Sequence, residues 1–350
     1  MLEICLLYCR NAVLGATHST MHRVFVSGAS GVVGYGILRA LRKSSQDLLL
    51  VGSSIFTDSV AQGFCDVFEQ AVPTSDSGYL RWLKQILEKH RIEIMFPGIE
   101  PDLHHWSDNA DSIQTNQCHI VMNRRGLIDL CRDKWLFYLA LQELNIKSAI
   151  PSSLDPSFDF LQEQFGLPFL LKPRRSYGSK GIVRIHNREN FMRHQSQVGC
   201  ELMVQPLIGS DDEEYSCAVF ADGANGFLAH ITLRRKLSPL GFTEKAEVVE
   251  SSDVLRAVSE LCYHFNPLGP TNFQFRVQNG ALKLLEINPR ISSSTSIRAA
   301  FGYNESSMAL DFFLHGISPT QPEIKRGRAV RYWEDYVFNL DSEIGDKIHH

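Results

Sequence analysis

The 350-residue chain lacks a C-x-x-C pair: its eight cysteines stand scattered at 5, 9, 65, 118, 131, 200, 217 and 262. That spacing indicates neither a disulfide framework nor a zinc site, and a reducing cytoplasm suits it. No apolar run approaches the roughly 18–20 residues that span a bilayer. The segment Ile4–Leu7 is short, and Glu3 sits where a signal peptide carries positive charge. Lysine and arginine form no long run, and the formal net charge is -4, which argues against a general binder of nucleic acid or anionic membrane. Any anion must therefore be bound locally. No convincing Ser-His-Asp or Cys-His set is present. What the chain does have is 44% apolar and 21% charged residues, ordinary for a globular protein and enough for two or three lobes.

Residues 1–20 read as a doubtful extension, unrelated to the rest of the chain, because Met21-His22-Arg23-Val24-Phe25-Val26 opens a strand at once; Met21 reads as the true start. Val24–Val26, a glycine turn Gly28-x-x-Gly31-x-x-Gly34 and a helix to about Lys43 begin a doubly wound lobe. A strand at Leu48–Val51, a helix at Tyr79–Lys89 and a strand at Ile92–Phe96 continue it, implying a parallel sheet. The glycine turn resembles that of short-chain dehydrogenases, which makes an NAD-dependent oxidoreductase the rival reading. Against it, the second strand ends in Gly52-Ser53-Ser54 where a ribose-binding acid belongs, and no tyrosine has a lysine four residues later. Close packing of a helix start on a strand explains the glycines equally well.

An amphipathic helix is expected from Asp129 to Asn145, with Asp133-Lys134 near its front. After the turn-rich link Pro151–Pro156, the strand Phe169–Lys172 delivers a lysine into the loop Arg174–Gly181, and Ile182–Ile185 resumes as its hairpin partner. Such a glycine-bearing loop can fold over phosphates. Leu202–Gly209 leads through an acidic turn to a strand at Tyr215–Phe220. Asn272–Arg276 alternates, and Asn279-Gly280 is a hairpin signal joining it to Leu284–Arg290. In that last strand Glu286 and Asn288 share one face, with Leu285 and Ile287 expected in a core. Two oxygen ligands side by side suit magnesium, and Arg290 beyond them suits charge on a transferred group.

In this order, Lys134, Lys172 with its loop, Gln205-Pro206-Leu207, Glu214-Tyr215, Gln274 and Glu286-x-Asn288-x-Arg290 resemble the ATP-grasp superfamily, specifically its carbamoyl-phosphate-synthase-like carboxylate-amine ligases. The likeness runs from about Arg23 to Asn339. It implies an α/β plus α+β architecture: a Rossmann-like lobe over 21–125, then an ATP-grasp unit over 126–340, whose lid spans about 150–205 and whose metal-bearing part spans about 206–340.

By that resemblance Lys134 and Lys172 contact the nucleotide phosphates, and Tyr177, Gly178, Ser179, Lys180 and Gly181 form the lid. Val204, Gln205 and Leu207 belong to the hinge that reads adenine, and Glu214 lies near the ribose. Gln274, Glu286 and Asn288 hold magnesium, or manganese in its place, and Arg290 and Lys172 serve the chemistry. Arg235, Ser292 and Ser293 are candidate substrate contacts, although Ser292–Ser296 read rather more as caps of the next helix. The implied reaction joins a small carboxylate to an amine through an acyl phosphate, with ATP becoming ADP. The implied partners are small molecules, with a homodimer in keeping. A nucleotide-binding module that lost the chemistry is the non-enzymatic alternative.

Overall fold

The computed structural model describes residues 21–113, 118–176, 180–210, 213–239 and 241–338. The extension 1–20 and the lid residues Tyr177, Gly178 and Ser179 lie outside the described residues. Strands β1 (His22–Val26), β2 (Leu48–Ser54), β3 (Val67–Gln70), β4 (Ile94–Phe96) and β5 (His119–Ile120) form a parallel sheet in the order β3-β2-β1-β4-β5. Helices α1 (Val32–Leu41), α2 (Tyr79–His90), α3 (Glu100–Asp108) and the single turn α4 (Ala110–Ile113) accompany it. Strand order reverses between β1 and β4, so a crevice opens at their carboxyl ends.

The main chain is packed tightly at that crevice. A Cβ on Gly34 would stand 2.4 Å from the Gly28 carbonyl oxygen, and one on Gly98 would stand 2.0 Å from that of Ser27. These glycines let α1 and the β4–α3 connection close on the tip of β1 with no side chain between them. On one face of the sheet α2 buries Tyr79, Leu83 and Ile86 against Trp106. On the other, Ile37, Leu38 and Leu41 of α1 share a core with Ala218, Phe220, Leu233, Tyr303 and Leu310 from the carboxy-terminal half. The two halves therefore meet through apolar packing as well as through the cleft.

The expected helix from Asp129 to Asn145 is two helices, α5 (Arg125–Arg132) and α6 (Lys134–Glu143). Asp133 is extended, and its carboxylate accepts hydrogen bonds from the Trp135 and Leu136 amides at 3.0 and 3.3 Å. An aspartate that can satisfy orphan amides ends one helix and caps the next. A small antiparallel sheet follows, built from β6 (Phe169–Pro173), β7 (Val183–Ile185) and β8 (Leu202–Pro206) in the order β7-β6-β8. It packs with α7 (Phe158–Phe165) and α8 (Arg188–Met192) through Phe158, Leu161, Phe169 and Phe191.

The largest sheet contains β9 (Glu214–Asp222), β10 (Phe227–Leu237), β11 (Thr243–Val248), β12 (Leu268–Gln278), β13 (Ala281–Asn288) and β14 (Arg328–Val330), ordered β13-β12-β9-β10-β11-β14. Helix α9 (Ser252–Phe265) covers one face through Val254, Val258 and Leu261, and α10 (Thr295–Ala300) and α11 (Glu305–His315) lie toward α1. Asn279 and Gly280 take φ of 52° and 74°, the pair of positive values a tight hairpin turn needs. Along this hairpin Gln274 opposes Glu286 but Phe275 opposes Leu284, so Leu285 is an extra residue on β13. Leu285 therefore leaves the strict alternation expected of it: Leu284 and Ile287 enter the core and Leu285 faces the cleft.

A methyl group at Gly98 has no room to relax, because backbone faces it. Gly98→Ala should destabilise the amino-terminal lobe by about 3 kcal/mol, read as an earlier urea midpoint for its tryptophan signal.

Candidate active site

β12 and β13 carry the junction of the cleft. Gln274 and Glu286 are register partners, and Asn288, two residues on, donates from Nδ2 to Glu286 Oε1 at 2.9 Å. One carboxylate and two carboxamides offer oxygen donors alone, which fits a hard cation and supplies a single negative charge for it. A divalent ion there gains its remaining charge from phosphates.

Two adjoining cavities meet at this point, of about 290 and 130 Å³, and share Lys134, Ser176, Leu237, Gln274, Leu285 and Glu286 as walls. Into the smaller one β6 projects Lys172. Burial drives its ammonium down to about 8, and nearby Glu286 opposes the shift. Among the described residues the Lys172 ammonium has no hydrogen-bond or ion-pair partner. Lys134 is the first residue of α6, where the helix dipole disfavours a cation. Burial lowers its pKa, against the pull of Glu286 and Glu100. Its Nζ donates to the Ser176 carbonyl at 2.7 Å, reaching the base of the loop that begins the lid. Lysines kept in such places are poised for an anion. Gly181 re-enters the described chain at φ 76°, over Pro173, and Lys180 beside it is exposed.

The hinge is reached at β8. Val204 already exchanges both main-chain bonds with Ser153, at 2.9 and 3.0 Å, and Gln205 pairs in register with Leu170 while its Nε2 donates to Ser152 Oγ at 2.9 Å. Main chain beyond the sheet starts after Pro206, at Leu207, so the Val204 end has nothing left for a base. Pro206 and Ile208 line the smaller cavity. Glu214 also borders it, buried, and accepts from Arg235 at 2.7 Å and from Arg276 at 3.0 Å. Arg235 borders the larger cavity, but its guanidinium is committed to Glu214 and to Thr243 Oγ1 at 3.1 Å. This makes it a structural cation before it is a substrate contact.

The larger cavity holds Arg290, Ser292 and Ser293. Arg290 donates through Nε and Nη2 to Glu100 Oε2 at 3.0 and 2.6 Å. Burial pushes the Glu100 carboxyl up, but the Arg290 guanidinium outweighs it and holds the group below the usual carboxylate range. The serines do not cap α10 as expected. Ser294 stands at the cap position without a side-chain cap bond and instead meets Thr243 Oγ1 at 2.7 Å. Ser292 Oγ accepts from buried Arg298 at 3.0 Å, and the Ser293 carbonyl accepts from Arg331 at 2.9 Å. The hydroxyls of Ser292 and Ser294 are thus committed inside the protein, and the Ser294 bond leads through Thr243 and Arg235 to Glu214.

Glu100, Asp133, Arg276 and Arg298 escaped the sequence reading. Asp133 pairs with Arg174 at 2.9 Å and Arg175 at 3.2 Å, tying the base of the lid loop to the start of α6. For Glu100 a signal existed: it follows Pro97-Gly98 at the carboxyl end of a parallel strand, where open α/β sheets place their ligands. Arg276 and Arg298 carried none beyond their charge.

A family profile described as ATP-grasp in the biosynthetic pathway with Ter operon matches residues 200–336. The carbamoyl phosphate synthase large chain of Methanothrix thermoacetophila is 24% identical over 293 residues, covering 76% of this chain and 26% of its own length. The chain thus spans about a quarter of the length of the curated relatives it matches. Among solved structures, N5-carboxyaminoimidazole synthetase from Staphylococcus aureus complexed with ADP superposes with a TM-score of 0.69 at 16% identity, covering 87% of this chain and 81% of that one. The biotin carboxylase domain dimer of Hydrogenobacter thermophilus 2-oxoglutarate carboxylase, in complex with MgADP, ADP and bicarbonate, superposes at 0.67 and 15% identity, covering 89% and 74%. By these matches residues 200–336 resemble an ATP-grasp domain, and the chain is similar to carbamoyl phosphate synthase large chains.

Two outcomes are expected of this geometry. Lys172, with its pKa of about 8, is charged below that pH and neutral above it, so Mg-ATP affinity should fall as pH rises through 8. Calorimetry near pH 8 in buffers of different ionisation enthalpy should show proton uptake on binding. Glu214→Ala leaves Arg235 and Arg276 without their shared counter-charge and should cost about 3–5 kcal/mol in unfolding free energy.

Proposed function

We propose that this protein is an ADP-forming ligase that joins a small-molecule carboxylate to an amine. The observation that carries the reading is the line of groups along one cleft. Lys172, whose ammonium meets no partner among the described residues, lies in the smaller cavity, half-buried Lys134 borders both cavities beside Gln274 and Glu286, and Arg290 lies in the larger one. Nothing in that line is a nucleophile or a hydride site. It is an arrangement for neutralising phosphates and placing a second substrate beyond them.

In this reading the nucleotide lies in the smaller cavity with its terminal phosphate toward Glu286. Gln274, Glu286 and Asn288 would hold magnesium, which supplies charge neutralisation of the phosphates when bound. A carboxylate oxygen from the larger cavity attacks the γ-phosphorus, and the bond to the β-phosphate oxygen breaks to release ADP. Lys172 and Lys134 offset the repulsion between the anions. The amine, having given its ammonium proton to solvent, then attacks the acyl carbon through nitrogen, the bond from that carbon to the phosphate oxygen breaks, and phosphate leaves with the electron pair and takes up the one further proton that nitrogen sheds. Arg290 is placed to hold the charge on the group that is first transferred and then expelled. Relatives crystallised with ADP and MgADP support the choice of nucleotide and metal. Among the described residues no helix is long and apolar enough to cross a membrane. The described cysteines are all free, which supports a reducing compartment such as the cytoplasm for this chemistry.

Incubation with Mg-ATP and pools of carboxylates and amines should yield ADP and phosphate. AMP with pyrophosphate, or no nucleotide turnover with any pool, would sink the reading. Glu286→Ala should abolish turnover with the circular dichroism spectrum unchanged.

A further inference from the structure

Glu100 is an anion inside a cavity organised for anions. It is delivered by the parallel-sheet lobe, across the cleft from the metal-type carboxylate Glu286, and its place is dictated by Gly98, which lets the chain pass within contact of Ser27. As the first residue of α3 it gains from the helix dipole, which favours its charged form. Only one of its oxygens is used: Oε2 takes both Arg290 bonds. Oε1 accepts no hydrogen bond among the described residues, and His104 Nε2 at 3.9 Å is too far for one. A carboxylate beside Arg290 repels the very phosphate that arginine suits, and its unused oxygen attracts a cation. Lys134 donates instead to Ser176, and Lys172 lies in the other cavity. Val32, Val33, Ile99 and Tyr138 line the same cavity and can accept an apolar body, while Lys134 borders it as a further cation.

We infer that Glu100 Oε1 is the receptor for the protonated amine of the acceptor substrate, a primary ammonium carried on an apolar group. The inference rests on the ligase reading for why an amine is needed there, and not for the site itself. Glu100 holds the nitrogen on the arginine side of the cavity, next to the place where the acyl phosphate forms, and excludes anionic acceptors of the same shape. When Arg290 turns to the phosphoryl group, Glu100 is left facing the ammonium alone and pairs with it more strongly.

The test uses the full chain saturated with Mg-ADP and two probes of matched shape, n-butylammonium and n-butanol, titrated by calorimetry. The ammonium should bind at least about tenfold more tightly than the alcohol, and Glu100→Gln should erase that preference while binding Mg-ADP as the unaltered protein does. Equal binding of the two probes, no binding of either at millimolar concentration, or an unchanged preference in the Glu100→Gln variant overturns the assignment. The comparison of probes on the unaltered protein stands even where the variant fails to fold. An ammonium preference found together with no ATP turnover on any carboxylate upholds the amine site and discards the ligase reading, so the two fail separately.

Discussion

The cleft depends on one carboxylate whose two oxygens are each taken up by an arginine. Glu214, buried at the edge of β9, holds Arg235 from β10 and Arg276 from β12, so three neighbouring strands are pinned at the rim of the smaller cavity. Two cations sharing one buried anion leave a net positive charge there, and that charge is what the phosphates of a nucleotide would meet. From Arg235 the bonds continue through Thr243 to Ser294, into the segment after Arg290. The two ends of the cleft are thus joined by a single polar path through protein that is otherwise apolar. Such a network is stable only when every member is paired, which explains why Ser294, expected at a cap, is instead committed to it.

The second constraint is main-chain proximity. Gly28, Gly34 and Gly98 allow β1, α1 and the β4–α3 connection to touch without side chains, and the same residues bring Gly31, Val32, Val33 and Glu100 to the wall of the larger cavity. Packing and function are one arrangement here. A turn that resembles a dinucleotide-binding fingerprint serves as the joint through which one lobe presents its residues to the other.

Most of the architecture was legible because it depends on local rules. The parallel lobe came from strands and helices of clear period, the β6–β7 hairpin from Lys172 and its glycine loop, and the β12–β13 hairpin from Asn279-Gly280, which put Gln274 on the strand paired with that of Glu286, as found. The illegible parts required knowledge of partners distant in sequence. The helix break at Asp133 turns on whether its carboxylate caps or is solvated, a choice decided by arginines about forty residues away. The bulge at Leu285 is invisible to a period-two reading, since the count of apolar residues is the same with or without it. The fate of Ser292 and Ser294 was set by Arg298 and Thr243, neither of which carries a local signal.

Arg290 and Glu100 show how far a linear motif can mislead about electrostatics. Read along β13, Arg290 is a free cation after two oxygen ligands. Read in space, it is half neutralised by a residue 190 positions earlier in the chain. An arginine already paired binds an incoming phosphoryl group only by exchanging one anion for another, so its contribution is smaller in the resting protein than when charge develops. That difference is what transition-state stabilisation requires. On the proposed reading, a cation held in reserve by Glu100 would cost little ground-state affinity for a carboxylate and become available as the phosphoryl group arrives, making the ion pair between the lobes part of the chemistry as well as a clasp.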